Sequence, residues 1–182
     1  SIKRIFKLKG RPKFNPLIIH YYSLEDVESD VIVNENFLKL YKKLCPGPIT
    51  FILKKKPRSK IHSTACANLD TVAVRFPNHK IIRSVLKNIN FPLAMPSANI
   101  SSGLSPISAY DVYEEFKKKI KFIINGGRSQ IGIESTVIDL TEKPRILRPG
   151  VISASDIQKF VKTNFSKKKL KIKSPGMLKK HY

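Results

Sequence analysis

Short apolar runs alternate with helical patterns along almost the whole chain, and this alternation constrains the fold more than any other feature. Four of the runs have the length and β-branched content of buried strands: PLIIHY (16–21), PITFILK (48–54), TVAVRF (71–76) and STVIDL (135–140). Patterns typical of helices lie between them, at 24–29, 36–44, 79–88 and 109–119. Because a sheet needs helices to cover it, we expect an α/β fold, a twisted mixed sheet with helices on its faces.

The remaining elements are shorter or depend on turn chemistry. Residues 1–9 are typical of the last turns of a helix, which Gly10 ends. Further strands are predicted at PLAM (92–95), KFIIN (121–125) and RILRPG (145–150), and a capped helix is predicted near Ser155. The final segment SKKKLKIKSPGMLKKHY has the composition of a linker. We therefore expect a main domain over 1–154, and a helix with a basic linker over 155–182.

The charge is strongly positive, because 35 Lys and Arg residues stand against 13 Asp and Glu residues, for a formal charge of +22. Such a charge favours polyanionic partners such as nucleic acid or nucleotides, although a general bias toward lysine explains the same composition. Apolar residues make up 41% of the chain, in short runs only. This pattern predicts neither a disordered chain nor a membrane-spanning one, so we expect a cytoplasmic protein with no membrane partner.

The sequence contains none of the common short motifs for metals or nucleotides. Cys45 and Cys66 have no metal-ligand spacing and are interpreted as ordinary thiols of a reducing compartment. The four histidines form no cluster in the sequence, and the chain has neither a P-loop nor a G-x-G-x-x-G motif. A nucleotide would therefore have to be held by other residues.

Two polar stretches are candidate anion sites. Lys9 and Arg11 flank Gly10, and two cations on a glycine turn suit a phosphate, although a solvated basic turn is the more frequent outcome. The loop MPSANISSGLSP (95–106) follows a predicted strand, where open α/β sheets bind ligands. Its Ser97 and Asn99 offer a hydroxyl and an amide to phosphate oxygens, but they are equally typical of a plain polar loop.

Several single residues near strand ends are weaker candidates. They are Glu134, Ser135 and Thr136 before a strand, Arg148 before Pro149, and His20 and Arg75 at strand ends. Ser and Thr are common at strand edges, Arg is usually on the surface, and a lone His is more often a core residue than a ligand. Taken one by one, these residues indicate no reaction.

Six segments in order resemble the YrdC-type threonylcarbamoyl-AMP synthase family: KGRPKFNPLIIH, LCPGPITFIL, TVAVRFPNH, PLAMPSANISSGLSP, GIESTVIDL and RILRPGVIS. They extend over nearly everything from Ile5 to Ser153, and six motifs in order are far more specific than any one of them. The resemblance implies the YrdC-like (RibB-like) α/β fold. The ending SPGMLKKHY resembles the interdomain linker of the longer, two-domain members.

The resemblance also implies a reaction, in which L-threonine, bicarbonate and ATP give threonylcarbamoyl-adenylate and pyrophosphate. The amine of threonine takes up carbon dioxide as a carbamate, whose carboxylate attacks the α-phosphate of ATP. Downstream threonylcarbamoyl transferase proteins then use the adenylate to modify tRNA. Such chemistry needs positioning and charge neutralisation above all. Mg²⁺ is expected to arrive with ATP and to be held by phosphates and water, without a protein metal site.

Site residues follow from the matching motifs. The resemblance implies that Lys9, Arg11, Ser97 and Asn99 are the catalytic residues around the ATP phosphates, joined there by Arg148. Threonine is expected to contact His20, Arg75 and Ser135, with Thr50 and Thr136 nearby. Because the linker of the longer members passes over the site, His181 and Tyr182 are expected to be lid residues.

Other interpretations follow from a departure from the family pattern. Family members carry a Pro-Thr-Glu-Thr-x-Tyr-Gly-Leu segment upstream of the Lys-Gly-Arg-Pro turn, and this sequence lacks it. We therefore expect a fragment or a decayed copy with weak or no synthase activity. The main alternative is an inactive module that retains binding of nucleotides, tRNA or double-stranded RNA. A carbamoyl-transferring subdomain of a hydrogenase-maturation protein would share the fold, but the SPGMLKKHY tail argues against it.

Overall fold

The computed structural model of the protein describes residues 1–165 and residue 175. The strands in this part are β1 (Ile18–His20), β2 (Ile49–Lys54), β3 (Thr71–Arg75), β4 (Leu93–Ala94), β5 (Thr136–Asp139), β6 (Arg145–Arg148) and β7 (Asn164–Phe165). The helices are α1 (Ile2–Lys9), α2 (Leu24–Glu28), α3 (Glu35–Leu44), α4 (Lys80–Lys87), α5 (Ala109–Phe116) and α6 (Ala154–Gln158), with 3₁₀ helices at Ser63–Cys66 and Lys117–Lys119. None of the described helices is long and apolar enough to cross a bilayer.

The described strands form one mixed sheet of seven strands in the order β4-β1-β3-β2-β5-β6-β7. The pairs β1–β3, β2–β5 and β6–β7 are parallel, and the pairs β1–β4, β2–β3 and β5–β6 are antiparallel. As a result, one end of the strands in this sheet carries the last residues of β1, β3 and β6 together with the first residues of β2 and β5. Polar residues at these five strand ends therefore become neighbours.

The main hydrophobic core lies on one face of this sheet. Alternating strand residues such as Ile19, Phe51 and Val74 point into it, and Phe37 and Leu40 of α3 pack against them. The rings of Phe37 and Phe51 meet edge to face, with their centroids 5.1 Å apart. The other face carries only a small apolar cluster, formed by Ile18, Ile52, Ala73 and Val137 with Leu147 against it. That second face is where polar strand residues can meet a ligand.

Local signals place most of the helix ends. Gly10 adopts the left-handed conformation, with a φ of 58°, and ends α1 as predicted. Ser108 and Asp111 form a capping box at the start of α5. The predicted helix near Ser155 begins at Ala154, because the Ser153 side chain accepts a hydrogen bond from the Asp156 N–H.

The predicted strand KFIIN (121–125) is wrong. Residues 121–125 form neither a helix nor a strand, and Phe122 and Ile124 are 88% and 67% exposed. The run has a strand-like composition, but a strand also needs an edge to pair with, and no described strand pairs with this segment. The 3₁₀ helix Ser63–Cys66 and strand β7 were not predicted, since both are short and depend on tertiary contacts.

The predicted division between 154 and 155 stays a prediction. Ile157 of α6 and the following Val161 are buried in the main core. Strand β7 pairs with β6. The described residues after 154 thus continue to pack on the same sheet.

Candidate active site

Two groups of polar residues lie near the two ends of β1. The first contains Lys9 and Arg11, which the left-handed Gly10 turns into the protein, so that they are only 4% and 8% exposed. The interpretation of this stretch as a solvated basic turn is therefore wrong. Burying two cations side by side is costly unless other groups compensate.

Lys9 is held by the loop that follows β4. Its ammonium donates a hydrogen bond to the Ser97 carbonyl at 2.6 Å and another to the Asn99 carbonyl. A lysine ammonium has three N–H donors, and the described residues accept from two of them, which leaves one for a ligand oxygen. Burial and the nearby Arg11 lower the pKa of Lys9 to about 8, and Glu115 partly opposes this shift.

Arg11 is fixed by the chain just before β1. Its Nε donates to the Asn15 carbonyl at 2.9 Å, and its Nη2 donates to Asn15 Oδ1 at 2.8 Å and to the Pro16 carbonyl at 2.7 Å. Among the contacts of the described residues, Nη1 is left for a ligand. Burial lowers the pKa of Arg11 to about 10, which keeps the guanidinium charged at neutral pH.

The loop after β4 brings Ser97 and Asn99 to the same place. Asn99 is 5% exposed, and its Nδ2 donates to the carbonyls of Ile100 and Gly103, at 2.9 and 2.7 Å. Its Oδ1 is buried and has no partner among the described residues. Ser97 is exposed. An unpaired buried acceptor is costly, which makes Asn99 Oδ1 a candidate ligand contact.

The second group forms a row across the less covered face of the sheet. His20 on β1 is the register partner of Arg75 on β3, and Arg75 is the partner of Thr50 on β2. Burial and Arg75 lower the pKa of His20 to about 3, while backbone hydrogen bonds partly oppose the shift. Burial also lowers the pKa of Arg75, whose Nε has no partner among the described residues. A carboxylate would satisfy that donor.

Ser135 and Arg148 extend this row. The hydroxyls of Thr50 and Ser135 share a hydrogen bond at 2.8 Å. The Arg148 guanidinium donates to the Ser135 carbonyl at 2.7 and 3.1 Å and to its hydroxyl at 3.0 Å. Arg148 also pairs with Glu134 and donates to the Pro175 carbonyl at 3.2 Å. Arg148, which was expected beside the phosphates, thus lies with the residues expected around threonine.

Not every predicted residue joins these groups. The Thr136 hydroxyl donates to the Ile152 carbonyl at 2.7 Å and accepts from the Ile152 N–H at 3.0 Å. Because Val137 belongs to the small apolar cluster, its neighbour Thr136 points to the opposite face. His181 and Tyr182 lie outside the described residues.

The structure also shows residues near the site that the sequence did not single out. Asn15 holds Arg11, and Glu115 accepts a hydrogen bond from the Ile100 N–H at 2.9 Å. Asn15 lies four residues from Arg11, so only its spacing could have indicated the contact. Glu115 contacts a loop fifteen residues away and carries no local signal.

The two groups are close enough for one extended ligand. Arg11 donates to Pro16, and His20 lies four residues further along the chain. Four residues of extended chain span at most about 14 Å. A molecule with an anion at each end could therefore contact both groups.

The described residues contain no group of three His, Cys, Asp or Glu side chains that could hold a metal ion. Among the described residues, the side-chain oxygens near Lys9 and Arg11 include those of Ser97 and Asn99, Asn15 Oδ1, which accepts from Arg11, and the Glu115 carboxylate, which accepts from Ile100. These oxygens suit a hydrated Mg²⁺ whose other ligands are phosphate oxygens. They suit a metal site made of protein ligands alone less well.

The Sua5/YciO/YrdC family model, described as telomere recombination, matches residues 1–150. The chain belongs to this family. It is 43% identical over 190 residues to threonylcarbamoyl-AMP synthase of Pyrococcus abyssi, covering 100% of this chain and 55% of that protein. It is 36% identical over 190 residues to threonylcarbamoyl-AMP synthase of Bacillus subtilis, covering 100% of this chain and 54% of that protein.

Among solved structures, the family member Sua5 of Pyrococcus abyssi complexed with L-threonine is similar, with a TM-score of 0.84 and 45% identity. The match covers 90% of this chain and 49% of that chain. The resemblance inferred from the six motifs and the expected YrdC-like α/β fold are both confirmed. The chain spans about half the length of the curated relatives it matches.

Proposed function

We propose that this chain carries the active site of a threonylcarbamoyl-AMP synthase, which converts L-threonine, bicarbonate and ATP into threonylcarbamoyl-adenylate and pyrophosphate. Two relatives that share more than a third of their aligned residues with the chain bear this name. One similar structure contains L-threonine. Because the chain matches only about half of these proteins, the activity is a proposal for the part that is present.

The observation that carries the proposal is the pair of buried cationic groups near the two ends of β1. Lys9 and Arg11 keep unused N–H donors, which suit phosphate oxygens. Arg75 keeps a buried Nε donor that suits a carboxylate. ATP supplies the phosphates and threonine supplies the carboxylate, so the two substrates together match the chemistry of both groups.

In the proposed reaction, a carboxylate oxygen of the carbamate attacks the α-phosphorus of ATP. The bond from that phosphorus to the oxygen that bridges to the β-phosphate breaks, and pyrophosphate leaves with the electron pair. Lys9 and Arg11 hold the phosphate oxygens and offset their charge. His20 is neutral at pH 7 and orients threonine beside Arg75 without adding a positive charge. Mg²⁺, when bound with ATP, would neutralise further phosphate charge, with Asn99 Oδ1 and the Ser97 hydroxyl as the protein oxygens near it.

The product would serve tRNA modification. Threonylcarbamoyl-adenylate is a mixed anhydride of a carboxylate and a phosphate, which makes it an activated acyl donor. We propose that downstream threonylcarbamoyl transferase proteins take it up in the cytoplasm and modify tRNA. Lid roles for His181 and Tyr182 remain part of this proposal.

Pyrophosphate release tests the proposal. The chain is incubated with ATP, Mg²⁺ and bicarbonate, with and without L-threonine, as wild type, Lys9→Ala and a Lys87→Ala control, which changes an exposed lysine on α4. We expect weak threonine-dependent release that Lys9→Ala loses and Lys87→Ala keeps. A folded wild-type chain that releases no pyrophosphate contradicts the proposal.

A second candidate function, binding of tRNA or double-stranded RNA, is favoured by a separate observation. A cavity of about 590 Å³ lies beside α1 and is lined by Lys3, Lys7, Arg11 and Lys13, together with the neutral residues Phe6, Gly10, Thr64, Ala67 and Asn68. A basic surface of this kind suits phosphate groups. RNA affinity that falls steeply with salt and ignores threonine would support this function. Affinity that is unaffected by Lys3→Ala and Lys7→Ala would contradict it.

A further inference from the structure

Glu115, in the last turn of α5, contacts the loop that carries Ser97 and Asn99. Its Oε1 accepts a hydrogen bond from the Ile100 N–H at 2.9 Å. The same oxygen would lie 3.8 Å from a β-carbon at Gly103. One side chain of α5 therefore holds this loop at Ile100 and lies against it near Gly103.

The contacts of the loop continue to Lys9. The Asn99 side chain bridges to the carbonyls of Ile100 and Gly103, at 2.9 and 2.7 Å. The Ser101 N–H donates to the Lys9 carbonyl at 2.8 Å. The Lys9 ammonium in turn donates to the carbonyls of residues 97 and 99. The direction of its third N–H thus depends on a loop that Glu115 holds in place.

Glu115 also acts on the charge of Lys9. The groups that act on the Lys9 ammonium are Arg11 after the Gly10 turn, the loop carbonyls and the Glu115 carboxylate. Burial and Arg11 lower the pKa of Lys9, and Glu115 raises it. Removing the negative charge of Glu115 would therefore make Lys9 lose its proton at a lower pH.

We propose that Glu115 is a positioning residue for the phosphate-binding group, which holds the 97–103 loop by its hydrogen bond and thereby directs the Lys9 ammonium. The proposal rests on the proposed function, since it assumes that Lys9 contacts the ATP phosphates. Glu115 is assigned no contact with substrate, so its effect should appear in ATP recognition and its pH dependence.

The test compares Glu115→Ala, Glu115→Gln and the control Glu114→Ala, which removes the neighbouring carboxylate, exposed like that of Glu115, from the same helix. Michaelis constants for ATP and threonine are measured by pyrophosphate release between pH 6.5 and 9, and ATP affinity is measured by calorimetry with Mg²⁺ present. Glu115→Ala should raise the KM for ATP about fivefold and leave the KM for threonine within about twofold, because an exposed hydrogen bond that holds the loop is lost.

Glu115→Gln separates the effect of the hydrogen bond to Ile100 from the effect of the negative charge. Its amide oxygen still accepts from Ile100, so the KM for ATP at pH 6.5 should return to within about twofold of wild type. Its missing charge should move the loss of ATP affinity at high pH to a lower pH. If Glu115 only stabilised the fold, its replacement would change neither the pH dependence of the KM for ATP nor that of ATP affinity. Glu114→Ala should resemble wild type in every measurement.

Three outcomes overturn the proposal. They are an unchanged KM for ATP in folded Glu115→Ala, an equal rise in both Michaelis constants, and a Glu115→Gln pH profile identical to that of wild type. If the wild-type chain releases no pyrophosphate, the proposed function fails but the calorimetric comparison still decides the role of Glu115. Weaker ATP binding by Glu115→Ala then supports that role, whereas equal ATP binding, or no ATP binding by wild type, overturns it.

Discussion

Lowering the pH from 7 to 5 should cost this protein about 2 kcal/mol of folding free energy through His20 alone. The ring is 4% exposed, and burial and Arg75 hold its pKa at about 3, against 6.5 in the unfolded chain. At a pH between these two pKa values, the unfolded state binds a proton that the folded state does not bind. The free energy of unfolding therefore falls as the pH falls from 6.5 towards 3. Each pH unit inside this window is worth about 1.4 kcal/mol.

Urea unfolding at pH 7 and pH 5, followed by circular dichroism, measures this effect. We compare wild type with His20→Asn, whose amide can still donate to the Ile18 carbonyl that His20 contacts at 3.2 Å. Other titrating groups contribute equally to both proteins and cancel in the difference. The stability lost between the two pH values should be about 2 kcal/mol smaller in His20→Asn.

A control variant, His62→Asn, changes an exposed ring and should keep the pH dependence of wild type. If wild type and His20→Asn lose the same stability between pH 7 and pH 5, His20 is not buried as a neutral ring. The argument that it orients threonine without a charge would then fail as well.

Three other perturbations test the site. Since burial and Arg11 hold the pKa of Lys9 at about 8, the KM for ATP should rise between pH 7 and pH 9 in wild type, and a flat profile would contradict this. Lys9→Arg should abolish the rise, because a guanidinium keeps its proton. Arg75→Lys should weaken threonine binding about tenfold in calorimetry and leave ATP binding unchanged, since an ammonium cannot replace the planar fork that we propose for the threonine carboxylate. Gly150→Ala should lower stability by about 2–3 kcal/mol in urea unfolding, because its β-carbon would lie 2.4 Å from the Glu134 carbonyl oxygen and from the Thr136 nitrogen. An unchanged unfolding midpoint would show that the Ser135 segment can move aside.

Local sequence patterns predicted much of the fold. Strands β2, β3 and β5 lie inside the predicted runs, because each has an apolar, mostly β-branched centre between polar or turn residues. Gly10 ends α1, since a left-handed residue is best tolerated as glycine. The failure at KFIIN has the same basis. A composition that suits a strand forms one only where a neighbouring edge is available, and the order of the strands decides that.

In the site, too, the sequence predicted local features and the order of the strands decided the contacts. Every residue of the two groups was a candidate from the sequence. Most of them were candidates as polar residues next to glycine, proline or strand ends, and Thr50 was a candidate through the family resemblance alone. What the sequence did not reveal is which candidates meet. Arg148 lies with Ser135, Thr136 faces away towards Ile152, and Glu115 joins the loop that holds Lys9.

The sequence by itself determined most of the element types, several of their ends and the chemistry of the candidate residues, because propensity, capping and hydrophobic period act over a few neighbouring positions. Only the tertiary structure decided which polar side chains are buried and which residues form hydrogen bonds with one another. Lys9 reaches carbonyls 88 and 90 residues away, and Thr50 reaches a hydroxyl 85 residues away. Such pairs depend on how the strands are ordered in the sheet, and burial in that sheet is also what lowers the pKa of Lys9 and His20.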